Sequence, residues 1–183
     1  VFAVVDLEPK IIDTEQAVEL DGPIKSIEFN NVYFTYPNTT IKVLNGISFK
    51  VTGGEFLGIM GHTGAGKTTI LKLLMRYYTP DSGEVLVNGK PITDFTLHSV
   101  RNAIGFVSQD PFLFYGSVKD NVLYNQDASS EELKHALELA GALDFVQELE
   151  DGMDTMVGDR GAKLSGGQRA RVSLARALLK SPS

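Results

Sequence analysis

The segment Gly61-His62-Thr63-Gly64-Ala65-Gly66-Lys67-Thr68 decides the fold, because it fits the pattern G-x-x-x-x-G-K-[ST]. The apolar run Phe56–Met60 precedes it and predicts a strand covered on both faces, as in a parallel sheet. Residues 67–78 follow it with apolar side chains nearly all round and predict a helix packed on several sides. Backbone amides in such a loop and the positive start of the next helix hold phosphate oxygens. The segment therefore predicts an α/β fold with a nucleoside triphosphate site.

Composition excludes several classes of protein. The chain has 183 residues, a net charge of −6 and no cysteine, with 43% hydrophobic and 22% charged residues. These values are ordinary for a globular domain and exclude a disordered chain, a collagen and a disulfide-stapled secreted domain. The acidic balance argues against general nucleic-acid binding. No run of about 18 apolar residues is present, so no transmembrane helix is predicted within the sequence.

The sequence before the phosphate loop has two parts. Residues 1–22 are acidic and predict either a connector, tethered at most by Val1–Val5, or an ordinary exposed arm. Alternating apolar side chains over residues 27–36 and 47–51 predict two strands with one buried face each.

After the loop, turn and cap signals divide the chain. Asn88–Gly89 predicts a hairpin after a strand at residues 84–87, and residues 104–107 form another short apolar run. Residues 117–150 predict helices with recognisable ends. The predicted caps are Ser117 with Asp120, Ser129 with Glu132, and Gly141 at a helix C-terminus.

A second motif is Leu164-Ser165-Gly166-Gly167-Gln168. Ser165 and Gln168 fit a capping box for a helix from about Gly166 to Lys180, so a plain helix start is one interpretation. Two glycines in a first helical turn cost about 1 kcal/mol each relative to alanine, however, and a cap does not need them. A site where backbone must touch a ligand does need them. The motif therefore predicts a helix start that offers its N–H groups to an anion.

Together the two motifs resemble the ATP-binding-cassette (ABC) family, in particular the nucleotide-binding domain of exporters, over about residues 24–183. LSGGQ resembles the family signature, with the phosphate loop about a hundred residues upstream. Three further segments carry the resemblance. They are Val107–Pro111, which resembles the Q-loop, Thr155–Gly161, which resembles the exporter pattern T-x-V-G-x-x-G, and Val32–Pro37, which resembles the loop with an adenine-stacking aromatic residue.

The resemblance implies an α/β fold of the P-loop NTPase (RecA-like) type: a parallel sheet core, an N-terminal antiparallel β subdomain and an α-helical subdomain at about residues 110–165. Residues 1–23 would connect a preceding transmembrane domain to the ATP-binding domain at residues 24–183, at the cytoplasmic face of a membrane. In the family a magnesium-binding Asp, a catalytic Glu and a switch His come later than the position of Ser183. We therefore expect the core sheet to be incomplete and this polypeptide alone to be aggregation-prone and without ATPase activity.

The resemblance also implies cofactors and site residues. ATP and Mg²⁺ are the implied cofactors, Lys67 and Gln109 the implied catalytic residues, and Thr68 and Gln109 the implied contacts to the metal. Tyr36 would stack on adenine, although a tyrosine half-buried at a strand end is the alternative. The implied nucleotide contacts are Tyr36, Gly61, Thr63, Gly64, Ala65, Gly66, Lys67, Thr68 and Thr69, and, on the nucleotide of a second domain, Ser165, Gly166, Gly167 and Gln168.

The implied partners are a second nucleotide-binding domain, identical or different, paired head-to-tail, and transmembrane domains, with no nucleic acid. Phe112, Phe114 and Tyr115 are candidate contacts to the membrane partner, and packing within the helical subdomain is an equal alternative. The implied function is an ATPase that powers export. The alternatives are a soluble ABC protein without transport, a non-hydrolysing regulatory cassette, and a small-molecule kinase, in which LSGGQ has no role.

Overall fold

The computed structural model describes residues 11–180, which form two compact units, residues 11–103 and residues 104–180. The predicted connector at residues 1–23 lies partly outside the described residues. Its proposed apolar tether, Val1–Val5, lies wholly outside them. None of the helices in the described part is long and apolar enough to cross a bilayer.

The first unit is built on a four-stranded antiparallel sheet. Both predicted alternating strands are present, and Phe29, Val32 and Phe34 are buried on the same strand. Val32 comes three positions after Phe29, and a register shift between them keeps the period-two pattern on one face. The strands are β1 (Ser26–Thr35), β2 (Lys42–Thr52), β3 (Ser82–Val87) and β4 (Lys90–Pro91). They lie side by side in the order β2-β1-β3-β4.

The hairpin predicted at Asn88–Gly89 is confirmed between β3 and β4. Asn88 and Gly89 have φ angles of 52° and 77°, and two consecutive positive φ angles are typical of a type I′ turn. The turn also contacts the start of β1, because Asn88 Oδ1 accepts hydrogen bonds from the backbone N–H groups of Lys25 (2.6 Å) and Ser26 (3.1 Å).

The end of the acidic N-terminal segment is attached to the first unit by polar contacts. Asp13 Oδ1 accepts from Leu97 N–H (2.8 Å) and from Arg76 Nη1 (3.2 Å), and Arg76 is only 4% exposed. Val18 forms a parallel bridge with Phe95. These attachments were not predicted, because the partners are 63 to 84 residues apart and no local pattern marks them.

Two short apolar runs do not form the strands expected of a parallel core. No strand within residues 11–180 pairs with Phe56–Met60, and the Met60 side chain is 94% exposed. Residues 104–107 are also outside any strand. The expectation of a strand covered on both faces is therefore wrong for the described residues, because a parallel strand forms only when neighbouring strands supply its hydrogen bonds. The core sheet is incomplete, as expected.

The helix that follows the phosphate loop, α1 (Lys67–Leu74), is shorter than the predicted residues 67–78. Arg76 ends it with a φ of 52°, and Arg101 Nε and Nη2 donate to the carbonyls of Met75 (3.0 Å) and Arg76 (3.1 Å). Ile70 and Leu73 are buried, but Leu71 is 40% exposed. Within the described residues the helix is therefore not packed on several sides, and the uncovered Leu71 agrees with the expectation of an incomplete core sheet. A second helix, α2 (Leu97–Ala103), completes this unit.

We expect the isolated chain to aggregate, because the exposed apolar run Phe56–Met60 has unpaired backbone groups. Size-exclusion chromatography with light scattering should show species larger than a monomer. Phe56→Lys combined with Met60→Lys should raise the monomer fraction, whereas the control Ile41→Lys, at another exposed apolar residue, should not. A monomeric profile with a cooperative thermal transition would contradict the prediction.

The second unit is helical and has its own core, which includes Leu113, Val122, Leu137 and Val172. Its four helices are α3 (Val118–Leu123), α4 (Ser130–Leu139), α5 (Leu143–Gln147) and α6 (Gly166–Leu179).

The cap signals predicted for this unit are confirmed. Capping boxes start α3 at Ser117 and α4 at Ser129. The backbone N–H of Ser117 donates to Asp120 Oδ2 (2.9 Å), and this bond lowers the pKa of the Asp120 carboxyl. At the other end of α4, Gly141 has a φ of 62°, and its N–H bonds to the Glu138 carbonyl (2.9 Å), as in a Schellman cap.

Candidate functional site

The phosphate loop, residues 61–68, is a glycine-dependent turn set against β2. Gly64 and Gly66 have φ angles of 86° and 91°. A Cβ on Gly66 would lie 2.8 Å from Leu44 Cδ2 and 3.1 Å from the Val43 carbonyl oxygen. Gly66 is therefore required both by its backbone conformation and by the close approach of β2.

The start of α1 carries unpaired backbone donors. The first helical hydrogen bond joins Ile70 N–H to the Gly66 carbonyl (3.1 Å), and no side chain caps the helix. The N–H groups of Lys67, Thr68 and Thr69 come before this bond and have no partner within the helix. Together with the helix dipole they form a site suited to an anion, which agrees with the predicted role of the segment.

The side chains of Lys67 and Thr68 are accessible at this site. Lys67 Nζ donates to the carbonyl oxygens of Gly61 (2.8 Å) and His62 (2.9 Å), so the ammonium group lies over the loop. Thr68 is exposed at the first turn of α1. A positive charge and an accessible hydroxyl therefore flank the free backbone amides.

Thr69, unlike Thr68, has a buried side chain. Its side chain is 3% exposed, and its Oγ1 lies 2.9 Å from the hydroxyl oxygen of Tyr36 in a hydrogen bond. The structure therefore engages the Thr69 hydroxyl with the tyrosine, while the Thr69 backbone N–H stays without a helical partner.

Tyr36 lies just past the end of β1 among other aromatic rings. Its ring packs edge-on against Phe34 (centroids 4.9 Å apart) and Tyr78 (5.2 Å), and Lys72 Nζ lies 5.2 Å from its centroid. Sequence reasoning missed Lys72 and Tyr78. The available signal for Lys72 was its position three residues after Thr69, which places both on one face of α1.

The signature segment, residues 164–168, forms the start of α6. Ser165 Oγ accepts from Gln168 N–H (3.2 Å), and Gln168 Oε1 accepts from Ser165 N–H (2.8 Å), so the capping box is present. A Cβ on Gly166 would meet only Arg169 Nη2, at 3.8 Å, and one on Gly167 would meet nothing within 4 Å. Neither packing nor the cap within the described residues requires these two glycines.

The segment Thr155–Gly161 positions the signature. Val157 is fully buried, and its N–H donates to the Gly116 carbonyl (2.9 Å). Gly161 has a φ of 71°, and a Cβ there would lie 2.9 Å from Leu113 Cδ1 and 3.0 Å from Arg169 Cδ. The chain therefore enters α6 along a path fixed by close packing within the second unit.

Gln109 lies in the second unit, exposed and in a bend. Ser108 Oγ donates to the Asp110 carbonyl (2.8 Å) across this bend. Phe112, Phe114 and Tyr115 follow it, and all three are exposed, most of all Tyr115 at 77%.

Residues 44–183 match the ABC transporter family. The chain belongs to this family. Membership implies nucleotide binding, which agrees with the free amides of the phosphate loop.

The relatives of this ABC domain include exporters. It is 44% identical over 180 residues to an ATP-dependent lipid A-core flippase of Desulfotalea psychrophila, covering 98% of the chain and 31% of that protein. It is 41% identical over 186 residues to ABC transporter B family member 1 of Arabidopsis thaliana, covering 100% of the chain and 14% of that protein. The ABC domain thus spans about a third or less of the length of these relatives.

A solved structure also resembles this ABC domain. It is that of a bacterial Atm1-family ABC exporter with ATP bound, at a TM-score of 0.93 and 40% identity, covering 99% of the chain and 32% of that protein. The fold predicted from the two motifs is therefore confirmed.

The ABC domain offers no metal site built from its own charged side chains within residues 11–180. No group of three or more His, Cys, Asp or Glu side chains there is placed to hold a metal ion. The available donor at the phosphate loop is the exposed Thr68 hydroxyl. Mg²⁺ is bound in many nucleotide sites through a few protein oxygens together with substrate phosphates, and the loop fits that arrangement.

Proposed function

We propose that this chain is the ATP-binding domain of an ABC exporter, in which ATP-driven pairing of two such domains powers transport across a membrane. The observation that carries the proposal is the pair of open helix starts, at Lys67 and at Gly166. The first has unpaired amides beside a lysine, and the second has two glycines that nothing in the described chain requires.

At the first helix start, the amides of residues 64–69 and the Lys67 ammonium bind the phosphates of ATP. Bound Mg²⁺ would neutralise phosphate charge there, and Thr68 and Gln109 are the residues proposed to contact it. The remaining proposed contacts within the loop are Gly61, Thr63, Gly64, Ala65 and Gly66. Lys67 moves from the carbonyls of Gly61 and His62 to the phosphates, because they offer it a full negative charge.

Tyr36 is the proposed adenine platform. Its hydroxyl is held by Thr69 and its ring is braced by Phe34 and Tyr78, so the ring is oriented before ATP arrives. Preorganisation of this kind lowers the entropy cost of binding.

The second helix start acts on the ATP of a partner domain. Glycines at the exposed first turn of α6 allow the backbone of Gly166 and Gly167 to approach a phosphate, while the Ser165–Gln168 capping box holds the turn in shape. Two domains, identical or different, therefore pair head-to-tail with one ATP at each junction. ATP binding drives this closure, and hydrolysis by the intact protein reverses it.

The pairing is proposed to move transmembrane domains of the same transporter, at the cytoplasmic face of the membrane. Residues 1–23 are the proposed connector to these domains, and residues 24–183 the ATP-binding domain with its helical part at about residues 110–165. The similarity to exporters such as the lipid A-core flippase supports this assignment. The contacts of Asp13 and Val18 support it too, because they fix the connector to the first unit.

The test measures binding of Mg·ATP and of Mg·tripolyphosphate, which has no adenine, to the full-length protein that carries this chain. Tyr36→Ala should weaken Mg·ATP binding about tenfold or more and leave Mg·tripolyphosphate binding unchanged, since base–aromatic stacking contributes about 1–3 kcal/mol. Tyr36→Trp, which keeps a ring, should retain most of the ATP affinity.

Equal losses for both ligands would show that Tyr36 only supports the loop through Thr69. Absence of saturable Mg·ATP binding by the unmodified protein would overturn the proposed function itself.

A further inference from the structure

Arg176, near the end of α6, makes three hydrogen bonds to the segment that follows Gln109. Its Nε donates to the Asn121 carbonyl (2.7 Å), its Nη1 to the Phe112 carbonyl (3.0 Å), and its Nη2 to Asn121 Oδ1 (2.9 Å). One guanidinium thus joins α6 to two points that are nine residues apart in the chain.

The same guanidinium lies against two aromatic rings. Its Cζ is 5.5 Å from the centroid of Phe114 and 5.2 Å from that of Tyr124, and these rings stack on each other at 5.0 Å and 18°. Phe112 packs edge-on against Phe114 at 5.0 Å. We call Phe112, Phe114, Tyr115 and Tyr124 the aromatic face, and all four are exposed.

Asn121 completes the connection from the buried side. It is 1% exposed, and its Oδ1 accepts from Phe114 N–H (2.8 Å) as well as from Arg176. Its Nδ2 donates to the carbonyls of Phe114 (2.9 Å) and Ser117 (3.0 Å). Every hydrogen-bonding site of this amide is used, so the backbone beneath the aromatic face is held in one conformation.

Arg176 stabilises this arrangement at a cost. No carboxylate pairs with it within residues 11–180, and burial lowers the pKa of its guanidinium. Removing a charged group from water costs free energy, which the hydrogen bonds of Arg176 have to offset. Its contribution is therefore geometric, because only a planar fork of donors reaches three separate acceptors and stacks on rings at once.

The two ends of α6 thus have different contacts. The signature cap Ser165 lies at the N-terminal end, and Arg176 lies eleven residues on, which is about 16 Å along a helix. We propose that Arg176 is a positioning residue that fixes the aromatic face to the signature helix, so that the face responds when nucleotide engages the start of α6. This inference rests on the proposed function.

The test follows the aromatic face in the full-length protein. The chain has no cysteine, so Tyr115→Cys introduces one label site within it in a parent freed of other cysteines. The rate of labelling with a maleimide is measured with and without Mg·ATP. We expect Mg·ATP to change this rate, and Arg176→Lys to reduce the change at least about fivefold, because lysine cannot span the three acceptors.

The dissociation constant of Mg·ATP, measured in parallel, should stay within about twofold, because Arg176 bonds to Phe112 and Asn121, whereas the phosphate loop belongs to the first unit. Arg171→Lys is the matched control. Arg171 lies on the same helix and packs over Phe145 (5.1 Å). It donates to the Gly141 carbonyl (2.9 Å) and, one helical turn back, to the Gly167 carbonyl (3.4 Å), so it tests loss of an arginine close to the signature without loss of the bonds to Phe112 and Asn121. It should keep the full response.

An Arg176→Lys protein with the full response, or one in which ATP affinity falls in parallel, would overturn the proposal. If Arg176→Lys does not fold, the same labelling is measured for Tyr124→Leu, which removes one ring and keeps all three hydrogen bonds of Arg176. An unchanged labelling response in Tyr124→Leu also overturns the proposal. Failure of the proposed function is distinguishable, because the unmodified protein would then show no Mg·ATP binding at all.

Discussion

Lys67→Ala should lower ATP hydrolysis by the full-length protein at least about 100-fold, which is the loss typical of removing one preorganised donor to a reacting centre. Lys67 supplies the positive side chain that lies over the loop of unpaired amides, within 2.8–2.9 Å of two loop carbonyls. Its removal takes away the cationic side chain of the loop and leaves the phosphate charge to the backbone dipoles and to Mg²⁺. Steady-state release of phosphate and titration with Mg·ATP measure the loss of turnover and of affinity.

The control for this variant is Lys50→Ala. Lys50 is an exposed lysine of β2 that pairs with Glu28 (3.3 Å), and surface pairs of this kind contribute at most about 1 kcal/mol. The Lys50→Ala protein should hydrolyse ATP at the same rate as the unmodified protein. Turnover retained by Lys67→Ala, with an unchanged thermal transition, would contradict the role given to the phosphate loop.

Gly167→Asp should abolish hydrolysis while leaving the domain folded. Because no atom lies within 4 Å of the added Cβ, the side chain fits without displacing anything in the described chain. A carboxylate in the first turn of a helix is even favourable to that helix. Placed against the phosphates of a partner's ATP, however, it adds a like-charge contact of several kcal/mol, which corresponds to a loss of more than about 100-fold.

The matched control is Ser130→Asp, which adds the same charge to the exposed first turn of α4 behind the capping box of Ser129. Phosphate release and the thermal transition are measured for both variants. We expect a normal transition in both and loss of hydrolysis only in Gly167→Asp. Loss of hydrolysis in both variants, or in neither, would contradict the proposal that the signature segment contacts the ATP of a partner domain.

Sequence was a good guide wherever the interacting groups are close along the chain. The capping boxes at Ser117, Ser129 and Ser165 each join residues three apart, and the turn at Asn88–Gly89 needs only its own backbone angles. Such contacts form in the same way in any surroundings, so spacing and residue type predict them.

Sequence was a poor guide to burial. The apolar run at residues 56–60 was predicted to be covered on both faces, and the helix after it to be packed on several sides. In the structure Met60 and Leu71 are exposed. An apolar segment stabilises a fold when its side chains are removed from water. Whether they are removed depends on other segments that pack against or pair with it.

The hydroxyl of Thr69 shows the same limit within the site. The family resemblance implied a phosphate contact for Thr69, yet its Oγ1 bonds to Tyr36, which lies 33 residues earlier. The resemblance assigned both residues to the site, and only the folded structure showed that their hydroxyl groups bond to each other.

By itself the sequence determined the family, the phosphate loop, the signature segment and the helix ends. Those features depend on backbone conformations that glycine, serine and asparagine set within a few residues. Only the tertiary structure decided that Asp13 pairs with Arg76, that β2 presses on Gly66, and that Arg176 joins α6 to the aromatic face. These partners lie 22 to 64 residues apart, so their contacts exist only once the folded chain has brought distant segments together.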